Sequence, residues 1–289
     1  MPLQKILLCL DPDPQPSVFD AIVAIDAGVD TVLRHGGVEV KQVRDLVHGA
    51  LFTRGGEQLC HTALFVGGSD VSASERLVEA AKACFFGPVR VSLLLDPSGA
   101  NTTAAAAVVA ASRHVMLGPE TTAVVLGATG PVGERVVRLL AMEGVRVRVV
   151  SRRLTRASLV CERLTQRASG TTLLTAHAMK PQGMEGLLDG AQLVVAAGAA
   201  GVELLASEDL NAVRSLAVAI DLNAVPPSGI GGIEPQDQGV ALASLCCYGA
   251  LGVGRLKMKI HRKAIASLFS TNDLVLDAEE IYVLGKGLG

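Results

Sequence analysis

Residues 121–153 constrain the fold more than any other stretch of this chain, because two apolar runs there enclose a glycine-rich loop. The segment reads T-T-A-V-V-L-G-A-T-G-P-V-G-E-R-V-V-R-L-L-A-M-E-G-V-R-V-R-V-V-S-R-R. The runs 123–126 and 145–150 are typical of buried parallel strands, and apolar residues between them recur at helical spacing. Strand, glycine turn, helix and second strand, in that order, predict the unit that binds a dinucleotide.

The loop after the first strand carries three glycines, three residues apart. Gly127 permits a tight turn, Gly130 lets the backbone approach a pyrophosphate, and Gly133 lets helix and strand pack closely. The start of the helix adds free N–H groups and the positive end of its dipole. The spacing is G-x-x-G-x-x-G rather than G-x-G-x-x-G, so the pattern alone has low specificity. The predicted cofactor contacts in this loop are Gly127, Thr129, Gly130, Pro131, Val132 and Gly133.

The end of the second strand indicates which dinucleotide binds. A site for NAD usually places an Asp or Glu there to hold the ribose 2′-hydroxyl. This chain has Ser151, Arg152 and Arg153, with Arg156 one turn later. A hydroxyl and guanidinium groups bind a 2′-phosphate by charge-assisted hydrogen bonds. The sequence therefore predicts NADP, with NAD as a weaker cofactor, and the alternative is an ordinary strand end with solvated arginines.

Two later strand ends complete the predicted cofactor site. Ala197 and Gly198 close the apolar run that begins at residue 193, and Asn223 follows the run 217–222. In this fold the nicotinamide ribose commonly lies at such strand ends, so we expect all three residues to contact the cofactor. The glycine-rich segment 228–233 that follows is compatible with either a plain turn or a ligand cradle.

Composition and periodicity predict the α/β class with parallel sheets. Hydrophobic residues make up 49% of the 289 residues and aromatic ones only 3%, so Val, Leu, Ile and Ala must form the cores. Buried runs that end in polar, Gly- or Pro-rich loops alternate with helical patterns. We predict a two-domain chain: an N-terminal α/β substrate domain (1–103), a Rossmann-like NADP-binding domain with its connecting helix (104–248), and a C-terminal helical segment (249–289).

Charge and cysteine usage argue against several other classes of protein. The net charge is −2 with no block of like charge, so we expect neither a nucleic-acid nor a membrane partner. Six cysteines show no C-x-x-C spacing, which favours reduced thiols and no metal site. The apolar run 6–10 is too short for a signal peptide or a membrane span. We predict a cytoplasmic homo-oligomer.

Three further residues outside the glycine loop are candidates for chemistry. Ser17 is placed to cap a helix with Asp20 in its first turn, where a carboxylate also has a simple role in balancing the helix dipole. Near the C-terminus, Lys257 and His261 lie four residues apart and share a helix face. A solvated basic face is the alternative for this pair.

Spaced motifs along the whole chain give a more specific indication of its family. They read P-S-V-F-D (16–20), T-R-G-G (53–56), F-V-G-G (65–68), F-F-G-P (85–88), N-T-T-A-A-A (101–106), T-G-P-V-G (129–133), P-P-S-G-I-G-G-I (226–233), G-A-L-G (249–252) and D-A-E-E-I-Y (277–282). In this order they resemble the bacterial NADP-dependent methylene-tetrahydromethanopterin/methylene-tetrahydrofolate dehydrogenases.

The resemblance implies a reaction and a set of residues. It implies a cleft between an N-terminal pterin domain and the NADP domain, with the last helix returning to the first domain. A hydride would pass from the methylene group of methylene-tetrahydromethanopterin to NADP, giving the methenyl cation and NADPH without proton transfer. The resemblance assigns catalysis to Asp20, which would favour the cation, and to Lys257, which would orient the pterin. It assigns substrate contacts to Asn101, Thr102, Thr103 and His261.

Three alternatives stay open at this point. Methylene-tetrahydrofolate could be the main substrate, because the sequence does not locate the surfaces that bind the differing pterin tails. A dehydrogenase of the shikimate or methylene-folate type shares a two-domain plan, but Lys5, Lys41 and Lys82 lack the context of a catalytic Lys–Asp pair. A non-catalytic NADP-sensing protein would keep the glycine loop and turn over no pterin.

Overall fold

The computed structural model describes residues 3–167, 173–179, 184–242 and 245–288. By its internal contacts the chain divides into two compact units. Unit 1 comprises Met1–Thr102 and Met258–Leu288, and unit 2 comprises Thr103–Lys257. The second division falls inside a long helix rather than before it at residue 249. The assignment of separate functions to domains with the predicted limits stays a prediction.

Unit 1 is built on a five-stranded sheet in which every pair of strands is parallel. The strands are β1 (Ile6–Leu10), β2 (Thr31–His35), β3 (Thr62–Val66), β4 (Ser92–Leu95) and, from the end of the chain, β12 (Val275–Leu276). Their order across the sheet is β12-β4-β3-β1-β2. The helices are α1 (Val18–Asp26), α2 (Val40–Phe52), α3 (Val71–Lys82) and α10 (Ala278–Lys286).

Unit 2 holds a seven-stranded sheet. Its strands are β5 (Thr122–Leu126), β6 (Arg146–Ser151), β7 (Leu174–Ala178), β8 (Leu193–Ala196), β9 (Val218–Asp221), β10 (Gln238–Leu242) and β11 (Leu245–Tyr248). Their order is β10-β11-β9-β8-β5-β6-β7, and only β10 pairs in the antiparallel sense. The helices are α5 (Pro131–Met142), α6 (Leu154–Arg167), α7 (Met184–Leu188) and α8 (Ser207–Ala212).

Two helices run through the points where the chain passes from one unit to the other. They are α4 (Ala100–Ser112) and α9 (Ala250–Ser267). The sequence predicts α4 over 104–111 with Thr102 or Thr103 as its cap, and this prediction is wrong at the N-terminus. The carboxylate of Asp96 accepts hydrogen bonds from the backbone N–H groups of Asn101 and Thr102, so the helix starts earlier.

The fully buried central strands explain why the α/β class could be read from apolar runs. Every residue of β3, β4, β8 and β9 is buried, as expected for parallel strands covered on both faces. The predicted fold class is confirmed, including the return of the C-terminal segment to the first unit. There β12 pairs with β4 in a parallel register. The pattern predicted only helix in this segment, because a two-residue strand carries no periodicity.

The residues that the structure describes were searched for membrane-spanning helices and for metal-binding groups. Within them, no helix is long and apolar enough to cross a membrane. Across the same residues, no group of three or more His, Cys, Asp or Glu side chains is arranged to hold a metal ion. All six cysteines are free thiols.

Candidate functional site

The glycine loop of unit 2 lies at the carboxyl end of its central strand. β5 is flanked by β6 on one side and by β8 on the other, so the strand order reverses next to it. Ligands of open α/β sheets bind where the order reverses in this way. Gly130 is the N-cap of α5, with Pro131 at the first helical position. The next backbone N–H groups of that turn have no partner within the helix, which suits an anion.

The three loop glycines are required for different physical reasons. Gly127 has a φ of +72°, and a Cβ there would lie 2.7 Å from Cα of Gly198. A Cβ on Gly133 would lie 2.5 Å from the carbonyl oxygen of Gly127, so both glycines serve the packing of the protein itself. At Gly130 a Cβ would meet atoms no closer than 3.5 Å. The space outside Gly130 therefore fits a ligand such as a pyrophosphate, and this cradle suits a dinucleotide.

The end of β6 carries the groups predicted to contact a 2′-phosphate. Ser151 is buried, and its hydroxyl lies 3.2 Å from that of Thr129 in the glycine loop. Arg152, Arg153 and Arg156 are exposed and follow it into the start of α6. The structure thus brings the hydroxyl and the glycine loop together and leaves the three guanidinium groups accessible to an anion.

The predicted nicotinamide end is built from the loops after β8 and β9. The N–H of Ala197 donates to the carbonyl of Leu126 at 2.9 Å, which aligns the ends of β8 and β5. Gly198 lies directly against Gly127, as the close approach of their backbones shows. Asn223 is buried, and its Oδ1 accepts from the N–H of Val225 at 3.0 Å. The residues predicted from distant parts of the sequence therefore share one edge of the sheet.

The corresponding edge of unit 1 collects two carboxylates around a histidine. We call Asp20, Asp96 and His261 the Asp–His cluster. Nε2 of His261 lies 4.0 Å from Oδ1 of Asp20 and 3.9 Å from Oδ2 of Asp96. His261 and Asp96 are fully buried, and Asp20 is 8% exposed. The rings of Phe19 and Phe65 lie 6.3 and 6.0 Å from the imidazole centroid. The imidazole is therefore held in place within reach of both carboxylates.

Local capping explains the position of Asp20. The Oγ of Ser17 accepts a hydrogen bond from the N–H of Asp20 at 3.2 Å, as the sequence predicts. A helix then starts at Val18 with Asp20 in its first turn.

The carboxylate of Asp20 is close enough to the buried thiol of Cys9 to affect its pKa. Burial raises the pKa of Cys9 to about 12, and the nearby charge of Asp20 acts in the same direction.

Two of the three predicted substrate residues on α4 have their polar groups engaged within unit 1. Nδ2 of Asn101 donates to the carbonyl of Leu95 at 2.6 Å and to Asp277 at 2.9 Å. The hydroxyl of Thr102 donates to Asp96 at 2.6 Å. Both residues are fully buried, whereas Thr103 is half-buried. Asn101 and Thr102 thus fix the carboxylate of Asp96. Direct contact of Asn101, Thr102 and Thr103 with the substrate stays a prediction.

The residues of α9 predicted to act on the substrate are both buried. Lys257 is 8% exposed, and His261 lies one helical turn further on. The alternative of a solvated basic face is therefore wrong for this pair. A lysine with this little exposure packs most of its side chain against the protein, and its predicted role toward the substrate stays a prediction.

Comparison with known proteins identifies a matching family and two relatives that cover almost the whole chain. Residues 18–98 match the family described as methylene-tetrahydromethanopterin dehydrogenase, N-terminal. A protein of Methylorubrum extorquens named bifunctional protein MdtA is 43% identical over 286 residues, which is 98% of each chain. The chain belongs to the methylene-tetrahydromethanopterin dehydrogenase family. A second member from the same organism, named NAD(P)-dependent methylenetetrahydromethanopterin dehydrogenase, is 30% identical over 97% of each chain.

Solved structures resemble this family member in fold alone. A 5-ketofructose reductase from a Gluconobacter strain superposes with a TM-score of 0.51 at 12% identity, covering 99% of both chains. Aspartate transcarbamoylase from Trypanosoma cruzi gives a TM-score of 0.54 at 13% identity, covering 94% of this chain and 84% of the other. Both comparisons support a two-sheet α/β architecture.

Three buried aspartates at these sheet edges were not predicted as site residues of this dehydrogenase family member. Asp11 and Asp96 each follow the last residue of a buried strand, and Asp221 is the last residue of β9. Burial raises the pKa of Asp11 and of Asp221 above the ordinary value of 3.8. An acidic residue directly at the end of a buried strand is the sequence signal that marks all three.

Proposed function

We propose that this protein transfers a hydride from the methylene group of methylene-tetrahydromethanopterin to NADP. The products are methenyl-tetrahydromethanopterin and NADPH. The observation that carries the proposal is the cofactor cradle at Gly130 next to Ser151 and Arg152, in a chain that matches this family from end to end. NADP, when bound, supplies the nicotinamide ring that accepts the hydride.

The preference for NADP rests on the end of β6. The exposed guanidinium groups of Arg152, Arg153 and Arg156 are available to a 2′-phosphate, and the hydroxyl of Ser151 is held toward the glycine loop. A carboxylate at this position would repel the phosphate, whereas these groups attract it. NAD lacks the phosphate and is expected to bind more weakly.

The chemistry proposed for unit 1 is the stabilisation of a cation. Loss of hydride leaves the methenyl carbon positively charged, and a buried carboxylate nearby lowers the energy of that charge. Asp20 is 8% exposed, whereas Asp96 is fully buried, so we assign this role to Asp20. The charge of Lys257 would oppose the product, so its proposed role is to orient the pterin or a neighbouring carboxylate by hydrogen bonds.

His261 is proposed to position these groups rather than to transfer a proton. Its imidazole is fully buried between the aromatic rings of Phe19 and Phe65. The reaction balances without a proton donor or acceptor, because the hydride takes both electrons of the C–H bond and the two adjacent nitrogens share the positive charge. Catalysis then depends on positioning and on electrostatic stabilisation.

The function is tested by measuring the reduction of NADP at 340 nm with each methylene pterin. We expect turnover with methylene-tetrahydromethanopterin and NADP, and lower efficiency when NAD or methylene-tetrahydrofolate replaces its counterpart. A higher kcat/KM with methylene-tetrahydrofolate would make that pterin the main substrate. Tight NADPH binding with no turnover of either pterin would identify the chain as an NADP-sensing protein instead.

The same assay tests the cofactor preference through one arginine. Arg152→Ala should raise the KM for NADP by about tenfold, since one charge-assisted contact is lost, and should leave the KM for NAD nearly unchanged. Arg167→Ala is the matched control, because that arginine lies at the far end of α6. Equal losses for NADP and NAD would contradict the assignment of Arg152 to the 2′-phosphate.

A further inference from the structure

The carboxylate of Asp221 is buried at the edge of unit 2 where the nicotinamide end is proposed to lie. Asp221 is the last residue of β9 and is 1% exposed. It is in register with Ala196 at the end of β8. The N–H of Leu222 donates to the carbonyl of Ala196 at 2.9 Å, so the two strands are still paired at this point. The side chain therefore lies near that of Ala196, the last residue of β8.

The chain leaves Asp221 and returns to it nine residues later. Oδ1 accepts a hydrogen bond from the N–H of Asn223 at 2.9 Å, and Oδ2 accepts one from the N–H of Ile230 at 3.1 Å. One side chain thus holds both ends of the loop 222–230.

Asn223 extends this arrangement to the neighbouring loop. Its Oδ1 accepts from the N–H of Val225 at 3.0 Å and from the N–H of Gly201 at 3.4 Å. Its Nδ2 donates to the carbonyl of Pro227 at 3.0 Å. The orientation of Asn223 is therefore tied to the loop after β8 as well as to its own loop.

The returning end of the loop, at Gly229, packs closely against the carboxylate of Asp221 and the loop after β8. A Cβ on Gly229 would lie 2.7 Å from Oδ1 of Asp221. The carbonyl of Gly229 accepts from the N–H of Leu204 at 2.8 Å, and the N–H of Gly231 donates to the carbonyl of Leu205 at 2.8 Å. The glycine-rich segment 228–233 is therefore fitted around the carboxylate, which distinguishes it from a plain turn.

We propose that Asp221 is a positioning residue for the nicotinamide half of the cofactor. Its carboxylate holds the loop 222–230, and through Asn223 the loop at Gly201, in the shape that receives the nicotinamide ribose. The inference rests on the proposed NADP-dependent function. It names a group that touches no cofactor atom and acts through Asn223.

A charged carboxylate is the group that this role requires. Two oxygens that only accept can serve the backbone N–H groups of both Asn223 and Ile230, whereas an amide has one oxygen and turns its own NH2 toward a donor. Burial raises the pKa of Asp221, although the N–H groups of Asn223, Ile230 and Gly229 act in the opposite direction. Because the folded-state pKa is raised, the charged form costs stability as pH rises above the ordinary value of 3.8.

The test is the binding of two ligands to full-length Asp221→Asn, measured by calorimetric titration. NADP carries the nicotinamide ribose, whereas adenosine 2′,5′-bisphosphate carries only the adenine half with its 2′-phosphate. We expect affinity for NADP to fall by about tenfold and affinity for the bisphosphate to stay unchanged. In the assay, KM for NADP should rise more than KM for the pterin.

Asp237→Asn is the matched control for this variant. Asp237 also lies in unit 2 and accepts a backbone N–H, that of Glu234, at 2.9 Å. It lies at the far end of the connection to β10, outside the segment 222–230 that Asp221 holds, so both affinities should match those of the wild type. The thermal unfolding midpoint of Asp221→Asn should stay close to that of the wild type, because the lost hydrogen bonds are offset by removal of a buried charge.

Each outcome decides for or against the inference. Unchanged NADP affinity in Asp221→Asn, or equal losses for both ligands, would overturn it while leaving the proposed function intact. Wild-type protein that binds neither ligand would overturn the proposed function and the inference with it. If Asp221→Asn does not fold, Asn223→Ala should show the same loss for NADP alone, and its absence there would also overturn the inference.

Discussion

Gly130 differs from the other glycines of its loop, because the protein around it does not require the absence of a side chain. Its φ of −83° is accessible to any residue, and a Cβ would make only ordinary contacts. Gly127 and Gly133, by contrast, lie where a Cβ would overlap backbone atoms. The fold therefore does not require a glycine at position 130, whereas the proposed contact with a pyrophosphate does.

This difference gives a prediction that separates ligand binding from stability. Gly130→Val should abolish NADP binding, because its side chain occupies the space proposed for the pyrophosphate. Its unfolding midpoint should stay near that of the wild type. Gly133→Ala is the comparison and should lower the midpoint, since its Cβ would press on the backbone of Gly127. Unchanged NADP affinity of Gly130→Val in calorimetric titration would show that the pyrophosphate lies elsewhere.

A second prediction at the residue scale concerns the Asp–His cluster. If no proton is transferred, His261→Gln should keep kcat within about tenfold of the wild type, equivalent to roughly 1.4 kcal/mol. Asp20→Asn should lower kcat further, because the carboxylate charge that favours the cation is removed. Stopped-flow measurement of NADPH formation at saturating substrates gives both values.

A larger effect of the histidine would change the mechanism. A folded His261→Gln protein that binds NADP yet loses a thousandfold in kcat would indicate acid–base catalysis. If, as proposed, no proton is transferred, the pH profile of kcat should show no bell shape with two catalytic pKa values. These outcomes bear on the role of His261 and not on the identity of the cofactor.

At the scale of single elements, α4 has a central part, residues 104–111, that is buried on every side. Residues Ala104 to Ala111 are at most 2% exposed. A helix that is apolar all round belongs in an interior, and alanine side chains let neighbouring backbones approach closely. The run of small residues 104–111 also predicts tight packing, although the predicted start of the helix lies four residues after the observed one, Ala100.

Close packing around α4 predicts a high sensitivity to larger side chains. Ala106→Leu should destabilise the protein by about 1–3 kcal/mol, because added methyl groups have no space in a filled core. Ala266→Leu is the control, since Ala266 lies on an exposed part of α9 and should change stability little. Urea unfolding curves would measure both values, and equal effects of the two substitutions would contradict the packing argument.

At the scale of the whole molecule, one unit is continuous in sequence and the other is not. Unit 1 needs residues 258–288, which supply β12, α10 and the end of α9. Several contacts join the two parts, including the N–H of Leu93 donating to Leu274 at 2.8 Å and Oγ of Ser92 donating to Thr271 at 2.9 Å. Unit 2 is a single stretch, 103–257.

This connectivity predicts how fragments behave. Residues 103–257 expressed alone should fold and bind NADP, because the sheet and the glycine loop are complete within them. Residues 1–102 alone should not unfold cooperatively, since β4 keeps β3 but loses its other partner, β12, and Asn101 loses Asp277. Joining 258–288 to them through a flexible linker should restore cooperative unfolding by circular dichroism. A stable 1–102 fragment would contradict this prediction.

The predicted homo-oligomeric state is checked separately by light scattering of the full chain.

The sequence alone determined the parts of this protein that depend on neighbouring residues. Turns, caps and strand ends are set by short-range chemistry. The sequence could therefore predict the glycine loop, the cap at Ser17, and the hydroxyl of Ser151 at the end of β6 with the arginines that follow it. Parallel sheets could be predicted as well, since strands buried on both faces must be continuous apolar runs.

Only the tertiary structure decided which distant groups meet. Asp20, Asp96 and His261 come from three separate parts of the chain, and no local pattern relates them. The pairing of β12 with β4 depends on two residues without periodicity, and the role of Asp221 depends on a loop that returns to it. Such contacts are fixed by the packing of whole elements, where burial changes the meaning of a side chain. From the sequence, a solvated basic face stayed open as the alternative for Lys257 and His261, and both residues are buried in the fold.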